Sequence, residues 1–448
     1  MDWLLYTLIG ILLGYCTAAW YIHRKKIRED LITFYGPIMA IKTRRIGFFD
    51  RFRSISTVLR IYGSLGIAMV AVVSVAMTIL VLSAFHREVV QPPPPEGIFS
   101  LQNMLALPGV NQFIPFTIPV LLAIAITIAV HELGHGILCR VEGILVKSMG
   151  VLLLVIPIGF FVEPDEADLE RTPPVPKSRM FGAGIVNNLF AGIASFVLLF
   201  LLLGMLVPVP GPVIYRIVEG SPAYNASVPL GSVILAVDGN PVSSVEDVTR
   251  VLNGARPGET LRLMVLPADA VRGLAPGIPP PEGTTYTLNL GSLPGRSFGY
   301  MGVYYYPAEA VLQEMKNLDS PLGYIVMSVL PIDILPMYNQ YPELHLIFLE
   351  SPDMAFYRIP FPLFWGVAHF LFWCGWFNFM VGTFNALPMV PLDGGFIMKE
   401  GVAGLLRRIG KPQFIDRVVL TISMVIFALI LLIVTIPSIA GLAAAVGP

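Results

Sequence analysis

Six stretches of the chain stay apolar for about 20 residues each, roughly 3–22, 61–85, 113–138, 183–207, 365–388 and 418–439. That is the length an α-helix needs to cross the hydrocarbon core of a bilayer. The polar segments between them are unequal. Ten Lys/Arg lie between His23 and Arg60, whereas Arg87 alone lies between His86 and Gln112. Positive charge collects on cytoplasmic loops. The pattern therefore predicts six spans, both termini outside and the first long loop cytoplasmic. The first stretch reads as a span, not a cleaved signal peptide: Asp2 precedes it, and its basic residues, HRKKIR, follow it.

Two segments break the rhythm. SMGVLLLVIPIGFF, 148–161, is apolar but too short to span. Its Val/Leu/Ile run, interrupted by Pro157 and Gly159, predicts a re-entrant β-hairpin, with a short buried helix as the alternative. From 208 to 306 Pro, Gly and charge return. GSVILAVDGNPV reads as a strand with a turn at Asp238-Gly239-Asn240, SVEDVTRVL as a helix capped by Ser244, and ETLRLMVL as another strand. QPPPP at 91–95 is a stiff linker and APGIPPPEG at 275–283 a loop. The expected divisions are two N-terminal spans with a basic loop (1–112), a first membrane half (113–207), an extracytoplasmic α+β domain (208–306), a connector (307–360) and a second membrane half (361–448).

Composition agrees with the pattern. Of 448 residues, 55% are hydrophobic and 13% charged, with a mean hydropathy of +0.74, which excludes a soluble globular chain of this size. The fold class is a polytopic α-helical membrane protein. Nothing in a net charge of −1 suggests a nucleic-acid partner. Cys16, Cys139 and Cys374 lie in or beside apolar runs and form no metal-ligand or disulfide pattern.

One apolar stretch ends in chemistry. HELGH, 131–135, puts His131 and His135 on one helix face, where both imidazoles can reach a single metal ion. Glu132, rotated by about 100°, is suited to take a proton from water that the metal activates. Ionisable groups in a membrane segment are costly, so their presence points to function. A zinc ion needs a third protein ligand. Glu142, Glu163, Glu166 and Asp393 are the candidates near the same membrane face, and the residues alone leave the choice open.

HELGH together with NALPMVPLDGG resembles the site-2 protease family of intramembrane metalloproteases, whose second motif is met here by Asn385, Pro388, Leu392, Asp393 and Gly394. The resemblance implies that His131, His135 and Asp393 bind Zn2+, that Glu132 is the base and that Asn385 holds substrate or oxyanion. AGIVNNL is similar to a further family stretch and places a matching catalytic asparagine at Asn188, with Ile185 where the family usually has Pro. FFVEPDE is similar to the segment after the family's re-entrant loop, which makes Glu163 and Glu166 structural or gating residues. VEGSPA, GSVILAVDGNPV and GYMGVYYYP resemble a PDZ domain, with Ser232 where such domains commonly show Asp.

The implied function is hydrolysis of transmembrane protein substrates in the bilayer, with a peptide terminus as a candidate occupant of the PDZ-like groove. The hairpin at 148–162 is expected to offer an open edge, at outward positions of its 150–155 strand, on which an unwound substrate can align. Two rivals are a membrane-anchored gluzincin with Glu163 or Glu166 as third ligand, and a non-enzymatic PDZ scaffold.

Overall fold

The computed structural model describes residues 2–92, 103, 106–209, 211–267, 270, 282–293, 295, 297–306, 308–333 and 356–446. Most of the QPPPP linker, most of the 275–283 loop and 334–355 of the connector lie outside the described residues. The long helices are α1 (Asp2–Lys25), α2 (Ser56–Val90), α3 (Ile118–Glu142), α4 (Pro174–Leu203), α5 (Val245–Gly254), α6 (Ala308–Asn317), α7 (Pro321–Asp333), α8 (Phe364–Asn385), α9 (Asp393–Arg408) and α10 (Ile415–Val446). Among the described residues five segments are long and apolar enough to cross a membrane: Gly47–Val90, Ile118–Glu142, Pro174–Leu203, Phe364–Asn385 and Pro412–Pro437. These match the second to sixth expected spans. The chain divides into two compact units, 1–196 with 370–448 and 197–369, the boundaries falling inside α4 and α8.

The first unit carries a four-stranded antiparallel sheet in the order β1 (Ile32–Tyr35), β2 (Ile38–Thr43), β3 (Val146–Leu154), β4 (Ile156–Pro164). The hairpin expected over 148–161 is β3–β4, turning at Val155, whose φ of +67° makes the tight reversal. The expected open edge is corrected. Strand 150–155 is interior, because β2 pairs with β3 from Met39↔Leu153 to Thr43↔Met149. The cause is ITFYGPIMAI in the basic loop, itself a hairpin turning at Gly36, φ +61°. Among the described residues β1 and β4 are the edge strands of this sheet. Gly150 permits the close β2–β3 approach, since a Cβ there would sit 2.2 Å from the Ile41 carbonyl oxygen.

Helix α3 starts five residues later than its apolar run, with a proline in its first turn, and ends at Gly143 in the left-handed conformation (φ +84°). Its last turn is held by cations, which suit the negative end of a helix. Arg60 donates to the Val141 carbonyl and Arg53 to that of Arg140. Buried Glu142 pairs with Arg60 and Arg179, and Arg140 with Asp50. Helices α2 and α4 touch at Gly66, where a Cβ would come within 2.9 Å of Val186. Val81 of α2, Leu387 and Ile426 of α10 form a further apolar cluster.

The second unit holds a sheet in the order β8 (Thr284–Asn289), β7 (Thr260–Leu266), β6 (Val233–Val237), β5 (Val213–Ile217), β9 (Val303–Tyr306), over which α5 lies; Ile214, Ile234, Val248, Leu263 and Leu288 are buried in its core. The elements expected from GSVILAVDGNPV, SVEDVTRVL and ETLRLMVL all form, with Asp238 and Gly239 at positive φ in the turn. Ser244 caps α5 in a capping box with Asp247. Backbone and side-chain hydrogen bonds from Ser243, then the Ser244 bond and Arg250, hold the Asp247 carboxyl down at about 2. In the connector the described residues form α6, α7 and a two-residue strand, Tyr357–Arg358, paired antiparallel with Val207–Pro208.

Candidate metal centre

His131 and His135 lie one turn apart on α3 and both are buried. Asp393 opens α9, and the next two residues, Gly394 and Gly395, lie so close to the backbone of the preceding Ala386–Val390 turn that a Cβ on either would clash. The carboxylate arrives between the imidazoles. Asp393 Oδ2 is 3.1 Å from His131 Nε2 and 3.3 Å from His135 Nε2, and the two Nε2 atoms are 3.2 Å apart. Among the described residues these three form the group able to hold a metal ion.

The donors fit zinc. Tetrahedral bonds of about 2.05 Å place neighbouring donor atoms about 3.3 Å apart, which is the spacing seen. The chemistry agrees. His135 Nδ1 donates to the Met180 carbonyl at 2.9 Å, which leaves Nε2 with its lone pair, the usual arrangement of a metal-bound histidine. Two imidazole lone pairs and a carboxylate oxygen facing one another in a buried site call for a cation. Gly184 of α4 makes the room: a Cβ there would stand 2.6 Å from His135 Nε2 and 2.7 Å from His131 Cε1.

The other expected site residues are placed as follows. Glu132, half-buried, does not join the donor set; its Oε2 accepts the Val162 backbone N–H of β4 at 2.9 Å. Asn188 is fully buried, and neither its amide nitrogen nor its oxygen has a hydrogen-bond partner among the described residues. It lies against α8, where a Cβ on Gly382 would be 3.3 Å from Asn188 Cβ. Asn385 donates its side-chain N–H to the Val381 carbonyl one turn back. Glu163, a rival third ligand, instead accepts from Lys42 and Ser148.

Several residues that the sequence did not single out support this arrangement. Asn187 donates to the Val130 carbonyl, just before His131, and accepts from the Tyr62 hydroxyl of α2 at 2.7 Å. Asn378 of α8 donates to Thr127 of α3 at 2.8 Å, a buried polar tie between residues 251 apart. Such a tie fixes one helix against another where apolar packing alone is permissive. The Val162 N–H is a backbone group and has no signature in the side-chain sequence.

Comparison with known proteins agrees with this geometry. Residues 119–432 match the profile of peptidase family M50. The chain belongs to this family. Similar proteins include one of Methanocaldococcus jannaschii, 23% identical over 302 residues, covering 67% of this chain and 61% of that protein. A Rhizobium meliloti protein whose name describes a zinc metalloprotease is 24% identical over 363 residues, covering 67% of this chain and 90% of that protein. A membrane-bound transcription factor site-2 protease homolog of Arabidopsis thaliana is 29% identical over 196 residues, 42% of this chain and 36% of that protein. The matched stretch thus spans less than two thirds of the first and third of these relatives. Zinc is the metal expected of an M50 peptidase, and His131, His135 and Asp393 offer it a site. The M50 match leaves α1, β1, β2 and α2 ahead of its first residue.

Proposed function

We propose that this chain is an intramembrane zinc metalloprotease that hydrolyses peptide bonds within or near the transmembrane helices of other proteins. The observation that carries the reading is the meeting of three metal donors from two separate helices, α3 and α9, with a carboxylate, Glu132, beside them and free of the donor set. When bound, zinc would polarise the scissile carbonyl and acidify water. Glu132 takes the proton of the attacking water and passes it to the leaving amine. Asn188, buried with an unpartnered amide, and Asn385 orient the substrate backbone or its developing oxyanion.

In this reading α1 is the first of six spans, both termini are outside, the metal lies towards the cytoplasmic side and the 208–306 domain is extracytoplasmic. The charge asymmetry of the loops supports that orientation. The four-stranded sheet is re-entrant. Tyr15, near the middle of α1, places its hydroxyl 2.6 Å from the Pro37 carbonyl and 2.9 Å from that of Leu153, so both hairpin tips would share its depth. A substrate helix hides its carbonyls in its own hydrogen bonds and must unwind to be cut. Edge strand β4 offers it a new ladder beside Glu132. Val162 turns its N–H away from β3, and Phe160, two residues earlier, faces the same way. The 208–306 domain is PDZ-like, with β9 on the sheet edge, and would bind a peptide terminus or exclude bulky ectodomains.

Zinc content of purified variants tests the ligand set. His131→Ala and Asp393→Ala are expected to lose the metal and Glu166→Ala to keep it. Zinc retained by Asp393→Ala and lost by Glu166→Ala would instead support the gluzincin rival.

A further inference from the structure

We propose that Lys177 and Glu400 form a latch that holds the third ligand on its metal, a positioning role for two residues that do not touch the site. The inference rests on the reading that His131, His135 and Asp393 hold zinc. Asp393 reaches the imidazoles from a different helix, so its place depends on how α9 docks against the rest of the unit. One face of α9 carries Asp393, Phe396, Ile397 and Glu400, at i, i+3, i+4 and i+7. One face of α4 carries Lys177, Phe181 and Gly184, at i, i+4 and i+7.

The two faces meet rung by rung, in opposite chain directions. Lys177 Nζ is 3.1 Å from Glu400 Oε1. The rings of Phe181 and Phe396 stack at 4.6 Å and 14°. Ile397 lies against Gly182, 3.6 Å from where a Cβ would be. The last rung is the metal centre, where Gly184 backs the imidazoles and Asp393 faces them. The ion pair is the outermost rung, about 10 Å along α9 from Asp393 at 1.5 Å per residue.

This pair is unlike its neighbour. The Lys177 and Glu400 side chains are 17% and 15% exposed, whereas Lys399 and Asp416, paired at 3.6 Å, are 45% and 92% exposed. A largely enclosed pair resists separation, and removing one partner strands the other, while an exposed pair contributes little. The latch therefore fixes both the height and the rotation of α9, which is what a carboxylate needs to stay on two nitrogens it does not share a helix with.

The test is zinc retention by the full chain in detergent, loaded with zinc and challenged with excess chromophoric chelator, with thermal unfolding followed on the same samples. Glu400→Gln and Lys177→Met are each expected to lose zinc about tenfold faster than wild type, the low end of the effect of disturbing a ligand's support. The exchanged pair, Lys177→Glu with Glu400→Lys, is expected to return the rate towards wild type, and Lys399→Met to leave it unchanged. Should a single variant fail to fold, Glu400→Asp, which keeps the charge and shortens the reach, is expected to give an intermediate rate. Singles that release zinc at the wild-type rate, or an exchange that rescues nothing, would overturn the latch while leaving the metal site intact. A wild-type chain that binds no zinc, or an Asp393→Ala variant that holds it equally well, would overturn the metal reading and the latch with it.

Discussion

Gly184 shows how tightly the residues of the centre are matched. The position carries no chemistry, yet a single methyl group there would occupy the space of both imidazoles. Gly184→Ala is therefore expected to reduce bound zinc to below about a tenth of wild type, measured by metal analysis, with helix content by circular dichroism unchanged. At this scale the sequence was informative about side chains with chemistry. The i, i+4 histidines and Glu132 were legible because their spacing and their cost in an apolar segment single them out, whereas Asp393 stood apart from the other acidic candidates only through the family resemblance. Gly184 was hidden in an ordinary-looking FGAGIVNN, and the Val162 N–H that holds Glu132 has no letter of its own. Asn187, beside the expected Asn188, was missed because its role depends on Tyr62 from another helix.

At the scale of elements, strand β4 and helix α5 yield separate predictions. Phe160→Pro removes an outward-facing N–H from β4 without removing a bond to β3. It is expected to lower kcat/KM for a membrane substrate by about tenfold or more with zinc content unchanged. Unaltered cleavage would exclude strand addition at this edge.

On α5, Ser244→Ala is expected to lower stability by about 1 kcal/mol in chemical denaturation, through loss of its cap. Asp247 adds a pH dependence. Its carboxyl is held down at about 2, below its ordinary 3.8, so the native state favours the ionised form. That contribution is complete above the ordinary value and is lost as pH falls through about 2. The gap in unfolding midpoint between wild type and Asp247→Asn is expected to be open near neutral pH and to close in acid. The β3–β4 hairpin was legible from a β-branched run too short to span. The β1–β2 hairpin was not, although ITFYGPIMAI alternates around a Gly-Pro turn, because the surrounding basic residues made the segment read as a loop. That omission misplaced the open edge.

Across the whole molecule, the apolar pattern located the long helices but not their partners. Which helix meets which is decided by contacts such as Asn378 with Thr127 and Asp393 with the imidazoles, between residues far apart in sequence. The resemblance carried by HELGH and NALPMVPLDGG supplied the pairing that periodicity could not. The N-terminal segment ahead of the family match proves to be built into the same unit: β2 completes the sheet, Lys42 binds Glu163, Arg60 holds the end of α3 and Tyr62 supports Asn187. Zinc-loaded wild type and Glu132→Gln, reconstituted in liposomes with a single-helix membrane substrate, test the central claim directly. Wild type should cleave within or beside the helix and stop on chelation, and Glu132→Gln should hold zinc equally well yet cleave at least about a hundredfold more slowly. Equal cleavage by both proteins, or cleavage by wild type that survives zinc removal, would contradict it.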